Sequence, residues 1–258
     1  MHHAHIDKFA YLDSPIHSLD SRVKFIAVIV YTFLVISLPP ARFSILMCYA
    51  IGPFVMLVIG KIPLRFAFKQ VIMVSPFILV LALSCPFYDR SLMEVAFGPY
   101  NWNMSCGWIR CFTILGKFTV TMLALIALTS TTRFSDLLTG MQRLGMPKLL
   151  IVQLGFLYRY IFVLIDKAHH IIQARSGRCL RNLGFKQELK TAGSMAGSLL
   201  VRSIDSAEKI SIAMQARGFK GTWRSLSVGK LQRHDLYFAV TVATYIIILH
   251  FVIRPVLL

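Results

Sequence analysis

The chain has 258 residues, of which 56% are hydrophobic and only 15% charged, with a mean hydropathy of +0.65. Soluble domains carry about 25% charged residues, so this composition excludes an ordinary soluble enzyme and a disordered chain. Twenty-eight Lys and Arg oppose 11 Asp and Glu, a net charge of +17; apolar runs with excess positive charge point to a polytopic membrane protein with basic cytoplasmic segments, and a nucleic-acid binder would lack those runs.

The first residues, Met1-His2-His3-Ala4-His5-Ile6-Asp7, lack the charged and apolar regions of a cleaved signal. His2, His3 and His5 could bind a divalent ion, since imidazole suits cobalt and nickel. Five apolar runs then approach the roughly 20 residues that a bilayer core requires. They cover about 23–38, 43–60, 71–88, 110–130 and 236–253. Pro39-Pro40 stops the first, and Pro76 lies inside the third. A sixth run, 149–165, contains Arg159 and is followed by Asp166. Arginine inside lipid is costly. The positive-inside alternation places the N-terminus in the cytoplasm and keeps this run out of the span count, as a buried or interfacial helix. The stretch from Asp166 to Asp235 has thirteen Lys and Arg against five acids and belongs on the cytoplasmic side. The expected fold is thus an all-α polytopic membrane protein of about five spans with a cytoplasmic domain of long amphipathic helices. Residues 1–130 carry the first four spans, 131–235 the cytoplasmic and interfacial helices, and 236–258 the last span.

Lys117 is the one charged residue well inside a clear span, which marks it as a functional hint or a snorkelling side chain. Cys48, Cys85, Cys106, Cys111 and Cys179 form no CxxC pair and read as small apolar residues.

Between the fourth and last spans, Phe134 to Pro147 reads as a short helix capped by Ser135 and closed by Gly145. Leu137, Leu138, Met141 and Leu144 form its apolar face, suited to the membrane interface. Asp136 supports its start. A longer helix follows from about Lys148 to Arg175, and another from about Ser194 to Arg217. His169 and His170 adjoin on the first of these and read as solvated surface. Gly193 and Gly197 lie in a run of small residues, Ala192 to Ser198, that reads as a flexible linker or as a point where two helices cross closely.

A short repeat closes both long helices. Gln173-Ala174-Arg175-Ser176-Gly177 resembles Gln215-Ala216-Arg217-Gly218-Phe219. Each sets an arginine in a last turn beside small residues, with a glycine able to turn left-handed and end the helix. A planar guanidinium can make bidentate hydrogen bonds to a carboxylate on another protein. The alternative is that each arginine only complements its helix terminus. No GxxxxGK[ST], HExxH or GxSxG motif is present, so no ATP chemistry is expected of the chain itself.

These residues carry a resemblance. Ala213-Met214-Gln215-Ala216-Arg217-Gly218-Phe219 is similar to the second Ala-Arg-Gly signature of the transmembrane T component of energy-coupling-factor (ECF) transporters. The resemblance is close to the cobalt/nickel branch, called CbiQ. Ile6 to His17, Asp20 to Lys24, Thr131 to Leu138, Leu144 to Lys148 and Tyr158 to Phe162 also resemble that branch. Ser176 departs from the glycine usual in the first signature. The resemblance implies a non-catalytic, multi-pass subunit of a bacterial inner membrane that binds no cofactor of its own. It implies that Ala174, Arg175, Ser176, Ala216, Arg217 and Gly218 dock on two cytoplasmic ATP-binding cassette ATPases, which bind the ATP. It further implies a CbiM-type membrane subunit that captures Co²⁺ or Ni²⁺ as the transported ion, and a small CbiN-type subunit. A vitamin-transporting T component, an ion-driven secondary carrier and a non-transporting membrane anchor remain open at this point.

Overall fold

A computed structural model describes residues 14–39, 43–88, 92–97, 100–178, 184–221 and 233–253. His2, His3, His5, Cys179 and the stretch from Ile6 to Asp13 lie outside the described residues. The architecture is the helical, polytopic one expected. Among the described residues eight α-helices run in the order α1 (Ser21–Ser37), α2 (Phe43–Ile59), α3 (Leu64–Tyr88), α4 (Cys106–Thr131), α5 (Phe134–Arg143), α6 (Lys148–Ser176), α7 (Phe185–Ala216) and α8 (Arg233–Ile247). A π-helical segment, Ile248–Ile253, continues α8. Between α3 and α4 the chain also forms a two-stranded antiparallel hairpin, β1 (Leu92–Phe97) with β2 (Tyr100–Ser105), in which Leu92 faces Ser105 and Phe97 faces Tyr100.

Among the described residues, three helices are long and apolar enough to cross a membrane: Leu64–Phe87, Cys106–Thr131 and Lys148–Ser176. α1 and α2, at 17 residues each, sit at the lower limit for a span. α6 carries the 149–165 run as part of one continuous 29-residue helix. That run is not uniformly buried: Ile151, Val152 and Phe162 are, whereas Leu149, Leu150 and Leu157 are exposed. Charge alternation kept this helix out of the span count, yet its length and composition alone would let it cross.

The described residues divide into two compact units, with the division inside α5 after Gly140. The first holds α1 to α4, most of α5, and α8. Its core is built on α4, which packs against α1, α2 and α3. Val28, Val35, Ile45, Tyr49, Val120 and Ala124 form one buried cluster. Leu57, Ala67, Val71, Leu123 and Ala127 form a second. The outer faces are also apolar: Phe33, Met47, Met73, Phe77, Val80 and Phe251 are all well exposed. Apolar surface on this scale suits lipid rather than water.

Pro53 lies inside α2 and cannot donate to the Tyr49 carbonyl one turn earlier. The Tyr31 hydroxyl, from α1, donates to that carbonyl instead. On the other side Tyr245, from α8, donates its hydroxyl to the Cys48 carbonyl at 2.7 Å and accepts the Gly52 N–H at 3.2 Å. In lipid, no water is available to repair a broken helix ladder. Two tyrosines therefore do it and tie α1 and α8 to α2.

Candidate functional site

Lysines join both ends of the α1–α4 pair. Lys24, in the first turn of α1, is buried, and its Nζ donates to the carbonyl of Thr131, the last residue of α4, at 3.1 Å. Lys117, in the other half of α4, donates to the carbonyls of Ile36 (2.9 Å) and Leu38 at the end of α1. Each helix thus supplies the cation that satisfies its antiparallel neighbour's exposed C-terminal carbonyls. Lys117, expected to be a functional hint or a snorkelling side chain, is a helix cap.

Around Lys24 the chain builds a polar junction. Asp20 caps α1 by accepting the Arg22 N–H at 3.0 Å. Its own N–H donates to Oδ1 of buried Asp235, at the start of α8, at 2.7 Å. The Ser21 hydroxyl donates to the Asp136 carbonyl in α5 at 2.7 Å. A Cβ at Gly140 would lie 2.6 Å from that hydroxyl, so α5 can approach this closely only with glycine there. Asp136, Asp235 and Asp20 all act electrostatically on Lys24. The ends of α1, α4 and α8 gathered here are ends that the span alternation assigns to one side of the membrane. The sequence reading assigned no role to Lys24, which it placed at the start of the first apolar run, and counted Asp235 only among the charges of the basic region. A lysine beside an apolar run, two residues after an Asp-Ser-Arg cap, was the available signal.

α5 starts at Phe134, two residues before the position a Ser135 cap would set, because the N–H groups of Asp136 and Leu137 donate to the Arg133 carbonyl. Ser135 therefore lies in the first turn instead of capping it. Leu138 is buried, Leu137 and Met141 are half-buried, and Leu144 is exposed. Gly145 ends the helix as expected, at φ +97°, with Met146 N–H donating to the Met141 carbonyl at 3.2 Å and Gly145 N–H to Gln142 at 3.2 Å.

The second unit contains α6 and α7 as an antiparallel pair. Lys167 Nζ donates to the Ser206 hydroxyl at 2.8 Å. Phe156, near the start of α6, meets Phe219, just past the end of α7, with ring centroids 6.3 Å apart. At the other end, Ala174 and Arg175 of α6 share a cleft with Thr191, Met195 and Ser198 of α7. α7 starts at Phe185, nine residues earlier than expected, so Ala192 to Ser198 is helix interior and the flexible-linker reading fails. Gly193 and Gly197 are exposed within it, and a Cβ at either would meet no described atom within 4 Å. On the neighbouring face, Met195, Ser198 and Arg202 border the cleft shared with α6.

The two repeat motifs end their helices differently. α7 closes as a Schellman motif: Gly218 has φ +76°, Phe219 N–H donates to the Met214 carbonyl at 3.0 Å, and Gly218 N–H to Gln215 at 2.9 Å. The Phe156–Phe219 contact locks that turn against α6. Arg217 stands at the cap, exposed. Gly177 of α6, expected to turn left-handed in the same way, is right-handed at φ −69°, ψ −18°. Its N–H donates to the Gln173 carbonyl at 3.0 Å, and Arg178 N–H donates to Arg175 at 2.9 Å. The Ser176 hydroxyl donates to the same Gln173 carbonyl at 2.8 Å. With these carbonyls satisfied in a right-handed turn, no left-handed residue is required. Arg175 is half-buried and Arg217 exposed. Because the helices are antiparallel, the two arginines sit at opposite ends of the pair, separated by about 30 Å of helix at 1.5 Å per residue.

Gly218→Val should unwind the last turn of α7. A β-branched residue at this φ costs about 1–2 kcal/mol. Faster amide exchange over Ala213 to Phe219, with the rest of α7 unchanged, is the expected readout.

Among the described residues, no group of three or more His, Cys, Asp or Glu is placed to hold a metal ion. Cys48 and Cys85 are half-buried, and Cys106 and Cys111 are buried.

Long apolar helices with exposed apolar flanks, a polar junction at one set of helix ends and an arginine-tipped helix pair define a polytopic helical membrane protein. The chain belongs to the CbiQ family of cobalt transport proteins, whose sequence model matches residues 13–227. It is similar to the cobalt transport protein CbiQ of Rhodobacter capsulatus, with 31% identity over 100 residues, or 39% of this chain and 41% of that protein. It is similar to the nickel permease LarQ of Lactiplantibacillus plantarum, with 31% identity over 120 residues, or 46% of this chain and 42% of that protein. An uncharacterized protein of Methanocaldococcus jannaschii is 27% identical over 127 residues, 49% of this chain and 43% of that protein. The chain spans less than half the length of each of these relatives.

Proposed function

We propose that this chain is the T component of an ECF-type importer of Co²⁺ or Ni²⁺. It is a membrane subunit without catalytic activity that links two cytoplasmic ATPases to a membrane subunit capturing the ion. The observation that carries this reading is the placement of Arg175 and Arg217 at opposite ends of one antiparallel helix pair. A single docking partner would be served by two arginines side by side. Tips about 30 Å apart suit two separate bodies whose approach on binding ATP loads both ends of the pair together. Family membership and the relatives named for cobalt and nickel support the choice of ion.

In mechanism, each guanidinium engages an acidic cleft on one ATPase. Movement of the two tips shifts α6 and α7. The chain passes from α6 through the Gly145 turn to α5, and α5 is joined to α1, α4 and α8 by the Ser21, Lys24 and Asp235 junction. ATP closure and the arrangement of the spans thereby become coupled equilibria. An ion-driven carrier places ionisable groups at the midplane; Lys117 is here committed to the end of α1.

The test is co-expression with the candidate ATPases and capturing subunit, followed by ATP-dependent uptake of radiolabelled Co²⁺ and Ni²⁺ into vesicles. Uptake of either ion that stops when the ATPases are inactivated is the expected result. Uptake that follows the ion gradient and survives ATPase inactivation would overturn the reading.

A further inference from the structure

The two arginine-tipped ends of the α6–α7 pair sit in opposite chemistry. At the α6 end a cleft of about 580 Å³ is bordered by Lys167, His170, Arg175, Arg178 and Arg202, and no acid is among its lining residues. None of these three arginines forms an ion pair with another described residue. Lys167 donates to the Ser206 hydroxyl, a neutral partner that leaves its charge uncompensated. From Lys167 to Arg178 the cations cover about 16 Å of helix at 1.5 Å per residue, and Arg202 adds one from α7. At the α7 end the neighbouring cavity, of about 680 Å³, is walled by Phe156, Tyr160, Ile210, Met214 and Phe219. Lys167 is the one charged residue of that lining, so Arg217 has no comparable cationic cleft beside it. Like charges gathered on one face, with no acids between them, build a positive potential that one carboxylate cannot neutralise. An acidic surface bearing several carboxylates can.

We propose that the two ends dock unequally, an inference that rests on the reading of both as ATPase-docking tips. The α6 end holds its ATPase through the whole cleft, where Lys167, Arg178 and Arg202 join Arg175 against several carboxylates. The α7 end holds its ATPase through Arg217 as the principal cation. Attraction between many charges acts at longer range and steers encounter, and dissolved salt screens it. Capture of the first ATPase therefore takes place at the α6 end and fades as ionic strength rises, whereas the α7 end engages second and is less sensitive to salt. Where the two ATPases are identical copies, the inequality lies wholly in this chain.

The experiment measures binding of the purified ATPase to the purified full-length chain in mild detergent, at about 50 and about 500 mM sodium chloride. In an R217A background, which silences the α7 end, R178Q/R202Q should lower affinity at least about tenfold at low salt. K209Q/K220Q, an equal charge change toward the α7 end, should leave that affinity unchanged. R217A should lose at least about tenfold in affinity between the two salt concentrations, and R175A/R178Q/R202Q less than about threefold. Arg178 and Arg202 are exposed, so the thermal midpoint should not move. Full docking in R178Q/R202Q, the outcome expected if the cleft serves some other anion, would overturn the proposal. So would equal salt dependence at the two ends, an equal loss in K209Q/K220Q, or a drop in midpoint that accounts for the loss. These results leave the docking reading standing if R175A/R217A still abolishes binding. Failure of the unsubstituted chain to bind the ATPase at either salt concentration would overturn that reading and this proposal together.

Discussion

Arg175→Ala and Arg217→Ala should each weaken binding of the ATPases to this subunit by about 2 kcal/mol, or roughly thirtyfold, and the double substitution should abolish co-purification. The magnitude is the low end of what is lost when one partner of a charged interface hydrogen-bond pair is removed. Arg217 is exposed, so its removal should leave the thermal midpoint of the isolated chain unchanged while docking falls. That split separates a docking residue from one that merely complements its helix terminus. The separation of the tips adds a second criterion. Sites more than about 10 Å apart and without shared partners have additive effects, and these lie about 30 Å apart along the helices. The two losses should therefore add in free energy. If both substitutions preserved docking and ATP-dependent uptake, the assigned roles would be wrong. Arg175 should show a further effect that Arg217 does not, because it is half-buried and lines the cationic cleft.

Lys24→Met should be the more damaging substitution for the fold, costing about 3 kcal/mol. Methionine keeps much of the apolar stem but removes the donor to the Thr131 carbonyl. It also removes the positive charge that Asp136, Asp235 and Asp20 face. Withdrawing one side of a buried charged arrangement leaves the other uncompensated. The thermal midpoint in detergent should fall clearly. Lys117→Met should cost less, because that lysine caps α1 without an acid cluster around it and is only half-buried. An unchanged midpoint in Lys24→Met, or a larger drop in Lys117→Met, would show that the junction does not hold α1, α4 and α8 together. Because the junction also links α5 to those helices, a milder change there, Asp235→Asn, should uncouple ATP hydrolysis from uptake before it unfolds the chain. The ratio of ions imported to ATP hydrolysed measures that.

Much of the candidate site was legible in the sequence because its signals are local. Arg175 and Arg217 were found from a five-residue repeat at the ends of two amphipathic stretches. Gly145 and Gly218 were assigned as terminators because a left-handed residue is expected where a helical period stops, and both have positive φ. The same local reasoning failed at Gly177, whose neighbours satisfy the helix carbonyls without a left-handed turn. It failed also at Ala192 to Ser198, where small residues suggested a break but α7 runs straight through. Small size permits flexibility without requiring it.

The sequence by itself determined that this is a helical membrane protein, where most of its apolar runs lie, and that two helix ends carry matched arginines. Those properties follow from hydropathy, from the 3.6-residue period and from backbone conformations that depend on a few adjacent residues. Only the tertiary structure decided that Lys24 and Lys117 cap each other's helices, that Tyr31 and Tyr245 repair the ladder broken by Pro53, and that the two arginines face opposite ways along an antiparallel pair. Each of these joins groups at least 18 positions apart. The reason is one of hydrogen-bond supply. In an apolar surrounding every carbonyl exposed at a helix end or beside a proline must find a donor from the protein itself, and which donor reaches it depends on how the helices pack.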